Sequence, residues 1–290
     1  MPTPALPLTD SLTHIQKDSH QSLTTSHNIG TMKWNIANAA IGGTTHKQNG
    51  ERCQDFARKA WTKDFACITM ADGAGTASHA VDGASVTAEE TKRLLKRLGE
   101  SLFYMDEAEI RQQLLSHLRE RLKAECLERG CAMVDLSTTL IFFATDGKRY
   151  AAANIGDGMV GRIGPDGQQE IILAQDLGAF VNECHFITDS DSERHIHVAR
   201  GDYDPESVYL SLTDGSCECL FNDHDNTFAP ALHIFAQWMR KYPQDEVTKA
   251  LHMKMRQLFP RRTDDDSAIA LLTMLGGSDA KSARQNRQKR

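Results

Sequence analysis

The chain has 290 residues, 40% of them hydrophobic, and a formal net charge of −6. This composition fits one large globular domain, and the negative charge argues against nucleic acid as a partner. No apolar run approaches the roughly 20 residues that span a bilayer, and no basic-then-apolar signal opens the chain. We therefore expect a cytoplasmic protein with no membrane partner, and seven cysteines without CxxC zinc spacing agree with reduced thiols.

Composition divides the chain into three regions. Residues 1–31 are rich in Ser, Thr, Pro and His with little periodicity, which predicts a mobile N-terminal arm. Residues 276–290 carry Lys and Arg with almost no apolar residues, which predicts a solvated basic C-terminal tail. Residues 32–275 alternate strand-like runs with amphipathic segments, which predicts a single domain.

Strand-like and helix-like segments alternate along this domain. The predicted strands, in chain order, are 33–40, 65–71, several short runs within 138–173, 195–199, 208–213 and 268–275. The predicted helices are one that begins at about residue 82 and others at 106–129, 227–241 and 245–259. Because strands and helices each occur in pairs, we expect two sheets with helix pairs outside them.

Four aspartates lie where apolar strand-like runs break, and three of them are followed by glycine. They are Asp72, Asp157, Asp214 and Asp264. A charge at the end of an apolar run is costly unless a cation compensates it, and carboxylate oxygens are ligands that Mg²⁺ and Mn²⁺ prefer. Several such strand ends side by side suggest a two-metal hydrolytic site.

Asp-Gly is also a common hairpin turn. Each Asp-Gly pair in the sequence can therefore be interpreted as a turn or as part of a metal site. Asp146-Gly147 and Asp166-Gly167 have polar or charged neighbours and join short strands, so we predict that they are turns only. The apolar runs before Asp72, Asp157 and Asp214 favour a metal site at those positions.

Six motifs occur in an order and spacing typical of one family. They are Cys53-Gln54-Asp55, Asp72-Gly73-Ala74-Gly75, Ser137-Thr138-Thr139-Leu140, Asn154-Ile155-Gly156-Asp157-Gly158, Leu212-Thr213-Asp214-Gly215 and Asp264-Asp265-Asp266-Ser267. Over residues 32–275 the chain resembles the metal-dependent protein phosphatases of the type 2C family, in its divergent bacterial branch. The resemblance implies an α+β fold, an αββα sandwich of two antiparallel sheets flanked by helix pairs.

The resemblance also implies an activity. The expected reaction is hydrolysis of phosphoserine and phosphothreonine in proteins by a metal-activated water, with two Mn²⁺ or Mg²⁺ ions and a weaker third ion. The expected partners are a phosphoprotein substrate and a cognate Ser/Thr kinase. Two alternatives stay open: a catalytically weak phosphatase-like binding or regulatory module, and a metal-dependent hydrolase of small phosphoesters.

Matching positions imply the roles of the catalytic ligands. Asp72 matches the carboxylate that bridges the two metals, and the Gly73 carbonyl completes the shell of one of them. Asp214 and Asp264 match the positions that hold the other metal, so the resemblance makes Asp72, Asp214 and Asp264 the catalytic set.

Three more acids match accessory positions of the family. Asp55 matches an acid that contacts the metals through water or binds an accessory ion, and Asp157 matches a position linked to the weaker third metal. Glu218 falls where the family often has a second acid for that ion.

The arginine that binds the substrate phosphate in most members of the family is missing. Its position, five residues before Asp55, is Gly50 in this chain. The candidates to bind the substrate phosphate in its place are Arg52, Lys47 and His46, with Arg52 slightly ahead because a guanidinium binds phosphate in a bidentate manner.

Other local patterns have simpler interpretations. Some relatives have His directly after Asp-Gly, where this chain has Ala74, and His79 on the same loop is a candidate replacement in the substrate site. The hydroxyls of residues 137–139 lack nucleophile-elbow glycines, so we predict that they pack and form hydrogen bonds at a strand start. Residues 175–204 correspond to the variable flap of the family.

Overall fold

Two five-stranded antiparallel sheets form the centre of the fold in the computed structural model, which describes residues 33–176 and 184–275. The arm predicted at 1–31 and the tail predicted at 276–290 lie outside the described residues. Part of the segment predicted as a flap, residues 177–183, also lies outside them.

The first sheet pairs strands from both ends of the domain. Its strands, in spatial order, are β1 (Lys33–Ile41), β12 (Ser267–Leu275), β9 (Val208–Leu212), β6 (Met159–Ile163) and β7 (Gln169–Leu173). The nine-residue pairing of β1 with β12 brings the beginning and the end of the described chain together.

The second sheet combines two hairpins, β2–β3 and β4–β5, with two long connections. Its strands, in spatial order, are β2 (Phe56–Trp61), β3 (Ala66–Ala71), β4 (Leu140–Thr145), β5 (Arg149–Ile155) and β8 (His197–Asp202). A separate two-stranded ladder joins β10 (Phe221–Asn222) to β11 (Thr227–Phe228). Residues 175–204, which correspond to the flap of the family, include β8, an edge strand of the second sheet.

Six α-helices accompany the sheets in the described residues. They are α1 (Thr44–Asn49), α2 (Ala80–Leu98), α3 (Glu107–Arg129), α4 (Asp214–Leu220), α5 (Pro230–Lys241) and α6 (Gln244–Leu258). Helix α3 begins with a capping box, in which Asp106 accepts a hydrogen bond from the Glu109 backbone and Glu109 accepts one from the Asp106 backbone.

Side chains alternate across the second sheet, and both of its faces are buried. Ile68 and Phe143 point into an apolar core shared with Tyr209 of the first sheet. Cys67 and Phe142 point into the other core, which packs against α2 and α3. Because successive residues of a strand face opposite sides, strands buried on both faces need the nearly continuous apolar runs that this sequence has.

A buried asparagine fixes the helices on the outer face of the first sheet. Asn35 of β1 donates hydrogen bonds to the carbonyls of Met239 (2.6 Å) and Tyr242 (2.9 Å) at the end of α5. Helix α5, helix α6, the two sheets and the α2–α3 pair thus form an αββα sandwich, and the predicted fold is confirmed.

The main predicted elements agree with the structure, but several short elements and boundaries differ. Helix α1 and strand β10 were not predicted, and the strand expected at 195–199 is β8 at 197–202. The helix expected from 227 begins only at Pro230, because Thr227 and Phe228 pair with β10 and proline favours the first helical turn. The strand β2 was not predicted, since Arg58 and Lys59 interrupt its apolar pattern. Helix α4 was not predicted either, because it is only seven residues long.

The two Asp-Gly pairs predicted as turns are confirmed. Asp146-Gly147 joins β4 to β5, and Asp166-Gly167 lies between β6 and β7. Gly147 (φ 82°) and Gly167 (φ 86°) have the left-handed backbone that favours glycine in such turns. None of the helices in the described residues combines the length and the apolar character that crossing a bilayer requires.

Candidate metal centre

Three of the predicted aspartates come together at one end of the sandwich. Asp72 follows β3 directly, Asp157 lies in the connection from β5 to β6, and Asp214 is the first residue of α4 after β9. Each offers a carboxylate oxygen, and these oxygens all lie within 4.8 Å of one another. Strand ends from both sheets therefore contribute to one acidic cluster, which we call the aspartate cluster.

Hydroxyl groups at the start of β4 fix the backbone of Asp72. The Asp72 carbonyl accepts hydrogen bonds from Thr138 Oγ1 (2.7 Å) and from the Thr139 amide (2.8 Å). The Asp72 amide donates to Thr139 Oγ1 (3.0 Å). The predicted structural role of these hydroxyls is confirmed, and they hold the carboxylate of Asp72 at a defined place.

The next residue, Gly73, lies against the start of α2. A Cβ atom at Gly73 would come within 2.5 Å of the Ala80 carbonyl oxygen, so a side chain does not fit there. The Gly73 amide donates to the Gln54 carbonyl (3.3 Å), which ties this loop to the residue before Asp55. The glycine after Asp72 thus allows the close approach that brings the two loops together.

Two amide side chains hold the loop that carries Asp157. Asn154 Nδ2 donates to the carbonyls of Gly158 (2.8 Å) and Ala174 (3.2 Å). Gln175 Nε2 donates to the Asp157 carbonyl itself (2.6 Å). These bonds fix the backbone of the loop, and the Asp157 carboxylate interacts with the Cys184 thiol as well as with the cluster.

Asp55 lies beside the aspartate cluster and is almost fully buried. It is 3% exposed. Its Oδ2 accepts a hydrogen bond from Thr213 Oγ1 (2.5 Å). Its Oδ1 is buried with no donor among the described residues, and the Asp72 carboxyl is a direct neighbour of the Asp55 carboxyl. An orphaned carboxylate oxygen in a buried site is costly unless a cation or a water contacts it.

Burial and mutual repulsion disfavour the charged forms of these acids. Burial raises the pKa of Asp55 to about 7 and, together with the charges of Asp157 and Asp55, raises the pKa of Asp214 to about 9. Burial, followed by the charges of Asp55 and Asp214, raises the pKa of Asp72 well above its usual range. Burial also raises the pKa of Asp157. A divalent cation would remove this cost.

The three aspartates before β12 face different surroundings. Asp264 is exposed and accepts a hydrogen bond from Thr44 Oγ1. Asp265 is also exposed, and its charge contributes to the raised pKa values of Asp55, Asp157 and Asp214. The structure thus brings Asp72, Asp157 and Asp214 together. The Asp264 carboxylate is not part of this group and instead accepts the hydrogen bond from Thr44.

Asp266 organises the chain that leads to Asp55. It is 1% exposed, and it accepts hydrogen bonds from the amides of Gly43 (2.6 Å) and Gln54 (2.5 Å). Its Oδ2 also lies 3.0 Å from His46 Nδ1. Burial lowers the pKa of His46, but the hydrogen bond and the charge of Asp266 outweigh it and raise that pKa overall.

The candidate phosphate-binding residues lie on the segment before Asp55. Lys47 and Arg52 are exposed, whereas the ring of His46 is held by Asp266 and is only partly exposed. His79 precedes α2 with its Nδ1 3.4 Å from an Asp82 oxygen. Glu218 is exposed on α4, and its charge contributes to the raised pKa of Asp265.

Thr213, Asp265 and Asp266 have roles at the site that the sequence reasoning did not assign. A signal was available for the two acids. In an extended segment, side chains alternate between two faces, so three consecutive aspartates indicate that Asp264 and Asp266 share one face and that Asp265 lies on the other. No such signal marked Thr213, because its bond to Asp55 joins residues 158 positions apart.

The donor set of the cluster fits a hard divalent cation. Its three side chains offer only carboxylate oxygens, and the buried Asp55 Oδ1 lies beside them. Mg²⁺ and Mn²⁺ prefer oxygen ligands, whereas zinc prefers nitrogen and sulfur.

Comparison with solved structures shows a shared fold at low sequence identity. The catalytic domain of the serine/threonine phosphatase PstP, in complex with two manganese ions, has 18% identity and a TM-score of 0.58, with 85% of this chain and 100% of that chain covered. The serine/threonine phosphatase of S. agalactiae has 17% identity and a TM-score of 0.59, with 83% and 99% covered. PppA, a regulatory component of the T6SS in Pseudomonas aeruginosa, has 16% identity and a TM-score of 0.57, with 83% and 98% covered.

No curated protein sequence matches the chain. A family model described as protein phosphatase 2C does match, over residues 42–255. That match begins before β2 and ends inside α6, so it includes Asp55, Asp72, Asp157 and Asp214. The chain belongs to the protein phosphatase 2C family.

Proposed function

We propose that this protein hydrolyses phosphoserine and phosphothreonine in other proteins, with two Mn²⁺ or Mg²⁺ ions at the aspartate cluster. One observation carries the proposal. Asp72, Asp157 and Asp214 come from three different strand ends and place oxygens within 4.8 Å of one another, although burial and repulsion oppose their ionisation. A protein keeps such a costly group of acids for a functional reason more often than for stability.

The ligand roles are those that the resemblance to the family implies. Asp72, the Gly73 carbonyl and Asp214 are the proposed ligands of the two main ions, with Asp264 as a further ligand. Asp265 is an alternative to Asp264, because the Asp264 carboxylate is bound to Thr44 whereas the charge of Asp265 acts on the cluster. Asp157 is the proposed ligand of a weaker third ion.

The reaction needs a nucleophilic water, neutralised phosphoryl oxygens and a protonated leaving oxygen. Bound divalent ions supply the first two, by lowering the pKa of water and by drawing charge from the phosphoryl group. In the chain itself, Thr213 holds Asp55 Oδ2 and leaves Oδ1 able to accept a hydrogen bond from a water molecule. Arg52 and Lys47 are exposed cations near Asp55 that can attract the phosphate dianion.

The substrate and the location are further parts of the proposal. Two of the structurally similar proteins are serine/threonine phosphatases, which supports a phosphoprotein substrate and a cognate Ser/Thr kinase that produces it. All seven cysteines are free thiols, which agrees with the reducing cytoplasm.

A second candidate is a catalytically weak binding or regulatory module. Gly50 occupies the position at which relatives have an arginine that binds the substrate phosphate, and Ala74 occupies the position at which some have a histidine. Loss of a substrate contact or of a general acid lowers the rate without abolishing metal binding.

One experiment separates these functions. Hydrolysis of phosphoserine and phosphothreonine peptides and of p-nitrophenyl phosphate is measured with and without Mn²⁺, and ion binding is measured in parallel by calorimetry. Metal-dependent hydrolysis of the peptides supports the proposal. Ion binding without turnover would indicate the regulatory module, and turnover of p-nitrophenyl phosphate alone would indicate a hydrolase of small phosphoesters.

A further inference from the structure

A second group of metal-binding side chains lies outside the aspartate cluster. Asp176 follows β7, and His185 and His195 lie before β8. Each offers one ligand atom, and these atoms all lie within 4.8 Å of one another. All three side chains are partly buried and belong to the described parts of the chain. We call them the histidine cluster.

The two histidine rings of this cluster are stacked on each other. The ring centroids of His185 and His195 are 3.4 Å apart, and the ring planes differ by 15°. The lone pair of each ring nitrogen lies in the plane of its ring, so one ring has to turn out of the stack for both histidines to bind one ion.

Additional side chains are placed to orient the ligands. Asp191 Oδ2 lies 3.5 Å from His195 Nε2, so Nδ1 of that ring remains available as a ligand. His197 Nε2 lies 3.2 Å from Asp176 Oδ2. Carboxylate–histidine pairs of this kind fix the tautomer and the orientation of metal ligands in many sites.

We propose that Asp176, His185 and His195 bind a transition metal ion, with Zn²⁺ as the preferred occupant. Two imidazole nitrogens and one carboxylate oxygen are a donor set that zinc accepts, with water or another ligand in the fourth position. The aspartate cluster has only oxygen donors and prefers harder ions. The two sites should therefore differ in the ions that they select.

The histidine cluster is joined directly to the loop that carries Asp157. The Asp176 amide donates to the Gly156 carbonyl (3.1 Å), and the neighbouring Gln175 side chain donates to the Asp157 carbonyl (2.6 Å). An ion bound by Asp176 would restrict the movement of both contacts. Occupancy of the histidine cluster should therefore stabilise the position of Asp157 beside the other acids.

The test measures Zn²⁺ binding by the full chain in the presence of excess Mg²⁺, which occupies the oxygen site. Zn²⁺ affinity is determined by competition with a chromophoric chelator, and Co²⁺ is added separately as a spectroscopic probe of nitrogen ligation. We expect one Zn²⁺ site per chain. His185→Ala and His195→Ala should each weaken it by at least about tenfold, the lower end of effects seen when the surroundings of a metal site are altered.

Two control variants make the result specific. His224→Ala removes a histidine that also contacts an aspartate, Asp225, but lies on the connection between β10 and β11, and it should leave Zn²⁺ affinity unchanged. Asp72→Asn alters the aspartate cluster and should also leave it unchanged. Asp176→Asn keeps the size of the third ligand, so it tests the site even if an alanine variant does not fold.

The proposal is overturned if the parent protein binds no Zn²⁺ under these conditions. It is also overturned if folded His185→Ala, His195→Ala or Asp176→Asn proteins bind Zn²⁺ as tightly as the parent. Because the readout is ion binding, the result is independent of whether the protein hydrolyses phosphoproteins.

Discussion

Thr213 Oγ1 donates a hydrogen bond of 2.5 Å to Asp55 Oδ2, and this contact joins the two sheets at the end of the sandwich that carries the aspartate cluster. Thr213 follows β9 of the first sheet, and Asp55 immediately precedes β2 of the second. The same hydroxyl accepts a hydrogen bond from the Ala268 amide (2.8 Å) on β12. One buried hydroxyl therefore fixes a candidate metal-binding acid relative to two strands of the opposite sheet.

Replacement of this hydroxyl should weaken both the fold and ion binding. Thr213→Val keeps the shape of the side chain but leaves Asp55 Oδ2 and the Ala268 amide without their partner. We expect the free energy of unfolding to fall by about 1–3 kcal/mol, the cost of leaving buried polar groups unsatisfied. Denaturant unfolding and Mn²⁺ calorimetry would measure the two effects.

Thr213→Ser is the matched control, because it keeps the hydroxyl and removes only a methyl group. It should retain most of the Mn²⁺ affinity that Thr213→Val loses. Equal Mn²⁺ affinities in Thr213→Val and the parent would show that the bond does not position Asp55 for ion binding.

Neutralisation of one cluster acid should stabilise the metal-free protein and abolish turnover. In Asp214→Asn a neutral side chain of the same size replaces a carboxyl whose charged form is disfavoured by burial and by the neighbouring Asp157 and Asp55. We expect the free energy of unfolding of the metal-free protein at pH 7 to rise by on the order of 1 kcal/mol, since one pKa unit corresponds to about 1.4 kcal/mol. Thermal unfolding in EDTA and phosphopeptide hydrolysis in Mn²⁺ provide the two measurements. A variant that still turns over and binds two ions as the parent does would refute this ligand assignment.

The stability of the metal-free protein should fall as the pH rises. Asp55 and Asp214 have folded-state pKa values of about 7 and about 9, above the value of about 3.9 for an unfolded aspartate. The folded state therefore binds more protons, and the resulting stabilisation is complete below about pH 4 and is lost as the pH rises through 7 and 9. Unfolding in EDTA from pH 5 to pH 9 should show this loss, and saturating Mg²⁺ should reduce it. A flat profile in EDTA, or one that Mg²⁺ leaves unchanged, would contradict the proposed environment of the cluster.

The main elements of the fold follow from local patterns, whereas parts of the site depend on distant contacts. Helix α3 begins directly after Asp106, as its periodicity predicts. By contrast, the surroundings of Asp264 could not be deduced from its motif, because its hydrogen-bond partner, Thr44, lies 220 positions away. The stacked pair of His185 and His195 could not be deduced either, since ring contacts depend on how the connecting loop is placed.

Activity should require a hard divalent ion. The aspartate cluster offers only oxygen donors, and its acids repel one another without a cation, so removal of metal should leave no phosphopeptide hydrolysis. Assays in excess EDTA, followed by addition of Mn²⁺, Mg²⁺ or Ca²⁺, would test this. Hydrolysis should return with Mn²⁺ or Mg²⁺, and full activity in EDTA would be incompatible with the proposed mechanism.

The missing arginine leads to the last prediction, which concerns substrate affinity. The side chain of His46 is committed to Asp266, so the exposed cations Arg52 and Lys47 are left as candidates to bind the phosphate dianion. Arg52→Ala should raise KM for a phosphopeptide roughly tenfold, because hydrogen bonds to charged groups contribute about 1.5–3 kcal/mol. Its Mn²⁺ affinity should change much less. Arg52→Lys keeps the charge but not the bidentate geometry and should give an intermediate KM. An unchanged KM in Arg52→Ala, together with an increase in Lys47→Ala, would transfer the role to Lys47.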